Sequence, residues 1–103
     1  MKAVVVLTTV GADFDAAALA RSLVEQRVAA CVNIVPAVRS IYRWKDAIED
    51  DGEQLLIIKT TEEKLDALRE ALFAQHPYEV PELVVLPAAV QGAYAEWLIA
   101  STS

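Results

Sequence analysis

The sequence predicts an α+β fold in which helices cover one face of an antiparallel sheet. Short aliphatic or β-branched runs alternate with segments of helical periodicity, in the order β-α-β-β-α-β-α. The two middle strands follow each other around a short polar segment, which is typical of a hairpin. With 103 residues, 55% of them hydrophobic, the chain is long enough for one packed core, and we expect residues 1–103 to form a single domain.

The first strand and the first helix are predicted from residues 2–27. Residues 4–6 are three valines in a row without polar alternation, as expected for a strand that is covered on both faces. Asp15 then stands at a helix N-cap position. We predict a helix from about Asp15 to Arg27, because small and aliphatic side chains recur at helical spacing. These are Ala16, Leu19, Ala20 and Leu23.

A long hairpin is predicted between the second and third strands. Residues 29–44 are extended in character, and Pro36 within them implies an edge strand or a bulge. Residues 45–52 form a predicted polar turn, and residues 53–60 return as the third strand. Such an arm would project beyond the sheet, so its aromatic residues Tyr42 and Trp44 are predicted to lie in an interface between subunits.

The second helix is predicted to begin with a capping box, in which Thr60 is followed three residues later by Glu63. Its apolar stripe contains Leu65, Leu68 and Leu72. The helix should end near His76, because Pro77 disfavours helical geometry in the residue before it.

The last elements are a short fourth strand at residues 83–86, between Pro81 and Pro87, and a C-terminal helix at about residues 91–100. The apolar face of this helix is predicted to contain Tyr94, Trp97 and Leu98. The complete order corresponds to a ferredoxin-like βαββαβ sandwich with a long hairpin between its second and third strands and an added C-terminal helix.

Composition excludes several classes of protein. Nine Lys and Arg against fifteen Asp and Glu give a net charge of −6, which argues against a nucleic-acid partner. The longest apolar run, residues 3–7, is too short for a bilayer span or for the apolar region of a signal peptide. The single cysteine cannot form an internal disulfide. We therefore expect a cytoplasmic protein that does not associate with membranes.

His76 is the first candidate for chemistry, because it is the only histidine and imidazole is a common metal ligand. Glu79 and Glu82 lie close to it in sequence and are candidate co-ligands. The alternative reading is a histidine whose charge complements the C-terminus of a helix.

Other residues are candidates for weaker reasons. Cys31 is either a reactive thiol or, more often for such residues, a buried apolar side chain. The charged residues on or beside the hairpin are expected to form a solvated rim; they are Glu49, Asp50, Asp51, Glu53 and Lys59.

Four segments of the chain together resemble the CutA divalent-cation tolerance family. They are Ala30-Cys31-Val32-Asn33, Ser40-Ile41-Tyr42-Arg43-Trp44, Ile58-Lys59-Thr60 and His76-Pro77-Tyr78-Glu79-Val80-Pro81-Glu82. The resemblance implies a ferredoxin-like protomer in a tight homotrimer whose hairpins wrap the neighbouring subunits. It also implies a cytoplasmic location in bacteria, a role in tolerance of copper and other divalent metals, and an architecture like that of PII signalling proteins. No established reaction comes with the family, so we expect no enzyme.

The sequence departs from the family pattern at three positions. Some members have a cysteine where Thr8 stands and a second histidine where Gln75 stands, and both positions are proposed to bind copper. Asp46 replaces the usual glycine of the hairpin turn, and aspartate tolerates left-handed geometry better than most residues. The resemblance therefore leaves His76 as the metal ligand, with weak binding of copper or another divalent cation that folding does not require.

Two other functions remain open at this point. The first is a PII-like regulator that binds a small ligand and an unidentified protein partner in a cleft between subunits. The residues of that cleft would be Cys31, Lys59, Tyr78 and Glu79. The second is an enzyme that uses Cys31, Lys59 and Tyr78 in a cleft between subunits for nucleophilic or proton-transfer chemistry.

Overall fold

The computed structural model describes residues 2–103, which form four strands and three α-helices in the predicted order. The strands are β1 (Ala3–Gly11), β2 (Cys31–Trp44), β3 (Ala47–Thr61) and β4 (Val84–Ala88). The helices are α1 (Ala16–Glu25), α2 (Leu65–Gln75) and α3 (Gly92–Ser101), and a 3₁₀ turn at Glu62–Lys64 precedes α2. All strand pairings are antiparallel, in the sheet order β2-β3-β1-β4. The predicted α+β fold is thus confirmed. None of the helices within residues 2–103 has the length and apolar character needed to cross a membrane.

The two faces of the sheet differ in how they are covered. One face packs on α1 and α2, and its buried side chains form the core; they include Val4, Val6, Leu56, Ile58, Leu19, Leu23, Leu68 and Leu72. The opposite face, called the open face below, contains the alternate residues of β1 and β3. Lys59 lies on it, because its neighbours Ile58 and Thr60 are both buried on the core side. The Lys59 Nζ atom is 5.9 Å from the ring of Tyr94, so α3 begins against the open face.

The ends of α1 and α2 follow from local chemistry. The Asp15 carboxylate accepts a hydrogen bond from the Ala18 N–H (3.0 Å), which is the predicted N-cap. The helix ends at Glu25, two residues before the predicted Arg27, which has a φ of 60° that a helix cannot continue. The second helix ends at Gln75 because His76 is extended, with φ −74° and ψ 132°, as Pro77 requires.

The predicted capping box of α2 is wrong. Thr60 is the buried penultimate residue of β3, and its hydroxyl donates to the Val28 carbonyl oxygen (2.8 Å). Thr61 precedes the 3₁₀ turn and makes no capping hydrogen bond with its side chain. A position between a central strand and a helix can satisfy a threonine hydroxyl through tertiary contacts, which the local sequence does not reveal.

The hairpin turn contains two residues instead of the predicted eight. Lys45 and Asp46 have φ values of 48° and 65°, which is the geometry that joins antiparallel strands most tightly. Asp46 thus adopts the left-handed conformation expected of it. The polar residues after it belong to β3, because this part of the arm lies beyond the core and both of its faces meet solvent. Arg39 and Asp50 form a bidentate ion pair across the arm, at 2.8 and 2.7 Å.

Each of the two edge strands contains one proline. The register of β2 with β3 shifts between Val35 and Val38, so Pro36 lies at a bulge in an edge strand, as predicted. The other edge strand, β4, does not end before Pro87 but continues to Ala88, with Pro87 opposite Val4. An edge strand accepts proline because one side of its backbone needs no partner.

The predicted apolar face of α3 is only partly buried in the single chain. Leu98 is 2% exposed, whereas Tyr94 and Trp97 are 44% and 46% exposed. These two rings lie against each other, with centroids 5.3 Å apart.

Candidate functional site

His76 lies between the end of α2 and the middle of the sheet, and both of its ring nitrogens have partners within the chain. The Nε2 atom is 3.0 Å from the Thr9 carbonyl oxygen and 3.2 Å from the Thr8 hydroxyl oxygen. The Nδ1 atom accepts a hydrogen bond from the backbone N–H of Tyr78 (3.2 Å). Partial burial lowers the pKa of His76, and the Thr9 carbonyl and the Glu53 carboxylate oppose this shift.

Thr8 and Gln75 stand at the two proposed copper-binding positions where the chain departs from the family pattern. The structure brings Thr8 to His76 but not Gln75. Thr8 is fully buried and its hydroxyl contacts the imidazole. The Gln75 side chain instead donates to the Ser22 hydroxyl (3.1 Å) and the Ala71 carbonyl oxygen (3.3 Å), so it points toward α1. A ligand at position 8 would therefore act together with His76, and one at position 75 would not.

Tyr78 is anchored to a buried carboxylate. Its hydroxyl donates to Glu53 Oε2 at 2.5 Å, and the Glu53 residue is only 6% exposed. Burial and this hydrogen bond raise the pKa of Tyr78 above its ordinary value, so the phenol is a neutral donor at pH 7. The rings of His76 and Tyr78 lie 5.0 Å apart, and the anchored tyrosine thus packs beside the imidazole.

An acidic groove of about 980 Å³ runs between the hairpin arm and the segment that follows His76. Four carboxylates and three aromatic rings line it; they are Asp51, Glu53, Glu79, Glu82, Tyr42, Trp44 and Tyr78. The Tyr42 hydroxyl donates to Asp51 at 2.6 Å, which raises the pKa of Tyr42 to about 12. Burial and the nearby Glu53 raise the pKa of Glu82.

The carboxylates suggested as partners of His76 have other environments. Glu79 is exposed and forms a 3.9 Å ion pair with Lys45 of the hairpin turn, and Glu82 lines the acidic groove. Within residues 2–103, no three His, Cys, Asp or Glu side chains converge in an arrangement that could hold a metal ion. A metal at His76 in this protomer would thus have one strong protein donor.

The four residues proposed for a cleft between subunits form two separate pairs in the protomer. Tyr78 and Glu79 line the acidic groove. Cys31 and Lys59 lie directly opposite each other on β2 and β3. Lys59 is six residues from Glu53, the anchor of Tyr78, which corresponds to roughly 20 Å along an extended strand. In the single chain Cys31 is only partly buried, which is less than the burial expected for this thiol.

Sequence reasoning missed Glu53, which was expected in a solvated rim. It lies where β3 is flanked by both β1 and β2, opposite Gly11 and Val38, and Tyr78 covers it. The available signal was its position two residues before Leu55, in phase with the apolar residues of one face of the third strand. The contact with Tyr78, which lies 25 residues away in sequence, cannot be predicted from the residues around Glu53.

Comparison with known proteins gives a consistent result over nearly the whole chain. The family described as CutA1 divalent ion tolerance protein matches residues 4–101. A divalent-cation tolerance protein CutA from Thermus thermophilus is 48% identical over 99 residues, which cover 95% of this chain and 96% of that protein. A chloroplastic CutA 1 protein from Oryza sativa is 49% identical over 87 residues, which cover 82% of this chain but only 48% of the rice protein.

Solved structures agree with the sequence comparison. The structure of the Thermus thermophilus protein superposes with a TM-score of 0.92 at 47% identity, over 98% of this chain and 99% of that chain. A structure described as the PII-like protein CutA from Nostoc sp. PCC 7120 has a TM-score of 0.88 at 32% identity, over 100% of this chain and 98% of that chain. On the match of residues 4–101 and on these identities, the chain belongs to the CutA1 divalent ion tolerance family.

Proposed function

We propose that this protein acts in divalent-cation tolerance as a cytoplasmic homotrimer that binds copper or another divalent cation weakly through His76. The family supports the general role. The observation that supports His76 most directly is its 3.2 Å contact with the Thr8 hydroxyl. The one histidine of the chain thus contacts a position from which a second side chain can approach the same metal ion.

Weak binding follows from the donor set. Imidazole nitrogen suits copper and zinc, whereas a threonine hydroxyl is a poor ligand for either. Glu79 and Glu82 line the acidic groove, and Glu79 is paired with Lys45. We therefore expect affinities in the micromolar range or weaker, with Cu(II) ahead of the other first-row divalent ions.

The open face of the sheet supports assembly into a homotrimer. Apolar residues on β1, β3 and β4 stay partly exposed there; they are Val5, Leu7, Leu55, Ile57, Val84 and Leu86. Leu7 lies between Ile57 and Val84, and Val5 lies opposite Leu86. The exposed rings of Tyr94 and Trp97 stand on α3, which begins against the same face. A continuous apolar surface of this kind is typical of an interface. Further copies of the chain would cover it, with Tyr42 and Trp44 of the arms as additional contacts.

The alternative functions have less support. A PII-like regulator would need cations for an anionic ligand such as a nucleotide, whereas four carboxylates line the groove and the net charge is −6. An enzyme based on Cys31, Lys59 and Tyr78 would need different subunits to bring these residues together, because they lie in two separate places in one chain. We therefore propose no catalysed reaction and no nucleic-acid partner.

Calorimetric titration with Cu(II) tests the metal site. The wild-type protein should bind with a dissociation constant in the micromolar range or weaker, and His76→Ala should lose this binding. Gln75→Ala is the matched control, because it removes a neighbouring side chain that points toward α1. Equal affinities of wild type and His76→Ala would exclude His76 from the site, and nanomolar binding by the wild type would require further ligands.

A further inference from the structure

The backbone N–H of Tyr78 fixes the tautomer of His76. A backbone N–H can only donate, so Nδ1 must be the acceptor in their 3.2 Å hydrogen bond. The ring proton is therefore on Nε2, where it faces the Thr9 carbonyl oxygen at 3.0 Å. The lone pair of this neutral imidazole is on Nδ1, and the Tyr78 N–H covers it.

This arrangement blocks metal binding at either nitrogen. A metal on Nδ1 would take the position of the Tyr78 N–H. A metal on Nε2 would move the ring proton to Nδ1, where two donors would then face each other. Both routes require the turn formed by residues 76–78 to open.

The turn is held closed from its far end. The Tyr78 hydroxyl donates to Glu53 at 2.5 Å, and a hydrogen bond to a carboxylate is stronger than one between neutral groups. Glu53 is itself fixed, because it is 6% exposed and β3 is paired on both sides at this point. The Tyr78 ring also packs beside His76, with centroids 5.0 Å apart.

We propose that the hydrogen bond between Tyr78 and Glu53 is a latch that keeps the His76 imidazole closed to metal ions, so that metal binds only after the 76–78 turn opens. This inference rests on the proposed function, in which His76 is the metal ligand. The apparent affinity is then the intrinsic affinity multiplied by the fraction of molecules with an open turn. Loss of one charge-assisted hydrogen bond should raise that fraction about 10-fold.

Carbethoxylation by diethyl pyrocarbonate tests the latch without metal. The unprotonated imidazole nitrogen attacks a carbonyl carbon of the reagent and gains an ethoxycarbonyl group, while ethyl carbonate leaves. His76 is the only histidine, so the absorbance change at about 240 nm reports this residue alone. We expect the wild type to react far more slowly than N-acetylhistidine at the same pH, and Tyr78→Phe to react about 10-fold faster than the wild type. Tyr42→Phe is the matched control, because it removes a similar hydrogen bond to Asp51 (2.6 Å) from the same groove but leaves the turn intact. Its rate should stay within twofold of the wild type.

Cu(II) titration of the same variants separates this inference from the proposed function. The latch predicts that Tyr78→Phe binds Cu(II) about 10-fold more tightly and that the gain disappears in the double variant with His76→Ala. Unchanged or weaker binding by Tyr78→Phe, together with loss of binding in His76→Ala, would overturn the latch and leave the metal site standing. Binding that His76→Ala does not alter would overturn the proposed site, while the carbethoxylation rates would still decide whether the turn covers the imidazole. A wild-type rate equal to that of N-acetylhistidine would overturn the latch outright.

Discussion

Replacement of Thr8 by cysteine should convert the weak site proposed at His76 into a much stronger zinc site. A tetrahedral zinc ion with Zn–S of about 2.3 Å and Zn–N of about 2.0 Å sets the two donor atoms roughly 3.5 Å apart. The corresponding oxygen and nitrogen atoms are already 3.2 Å apart. The separation of the two donor atoms therefore needs to change by only about 0.3 Å, in addition to the opening of the 76–78 turn.

The magnitude follows from the usual strength of a zinc ligand. Four protein ligands together provide about 10–16 kcal/mol, so one thiolate contributes about 3 kcal/mol, or roughly 100-fold in affinity. The turn over His76 must open in the wild type and in the variant alike, so this cost cancels in the ratio. Thr8→Cys should therefore bind Zn(II) about 100-fold more tightly than the wild type.

Competition with a chromophoric zinc chelator under reducing conditions measures this ratio. Zn(II) is the suitable ion, because Cu(II) would oxidise the new thiol. Thr8→Ser controls for the lost methyl group in this fully buried position. Gln75→His is a second control and should gain less than about threefold, since residue 75 points toward Ser22. The reasoning is refuted if Thr8→Cys stays within threefold of Thr8→Ser.

Two further outcomes are expected. Trp44→Ala should weaken assembly, because an aromatic anchor in an interface commonly contributes 2 kcal/mol or more. Native mass spectrometry at low micromolar concentration should then show a larger monomer fraction than in wild type or in the control Val24→Ala, which alters a similarly exposed side chain on the helical side. A wild type that is monomeric would contradict the homotrimer. Glu82→Gln should raise the free energy of unfolding at pH 7 by less than about 1 kcal/mol, given the partial exposure of this residue. Because the folded state raises the pKa of Glu82, it binds this proton more readily than the unfolded chain, so the contribution of this residue to stability is lost as pH rises above about 4.5. Urea denaturation at pH 4 and pH 7 should thus show the gain at pH 7 only, and an equal gain at both would contradict this origin.

The sequence predicts most of the fold, because local sequence patterns identify the strands and helices of the core. The valines of β1, the leucine stripe of α2 and the effect of Pro77 each depend on neighbours within a few residues. The length of the hairpin turn is not predictable in this way, because polar residues are typical of turns but also occur in exposed strands. In an arm that extends beyond the core, strand residues need no apolar face, and Glu49 to Asp51 are held by pairing with β2.

The candidate site is less predictable than the fold. The local sequence identifies His76 as a candidate metal ligand and predicts that the helix before it ends there. Its orientation does not, because it is set by contacts with Thr8 and Thr9, which lie 68 and 67 residues away in sequence. The burial of Glu53 is likewise decided by Tyr78, 25 residues distant. Such long-range contacts carry no periodicity, so only the assembled fold reveals that the imidazole is covered.

The prolines of the two edge strands have a consequence for the isolated chain. An exposed strand edge offers a row of unpaired donors and acceptors on which foreign strands can grow into aggregates. Pro36 distorts one edge through a bulge, and Pro87 places a residue without an N–H donor in the other. Neither edge then presents a continuous ladder to an arbitrary strand. The single chain can thus keep its apolar open face exposed while it resists fibrillar growth from both edges of its sheet.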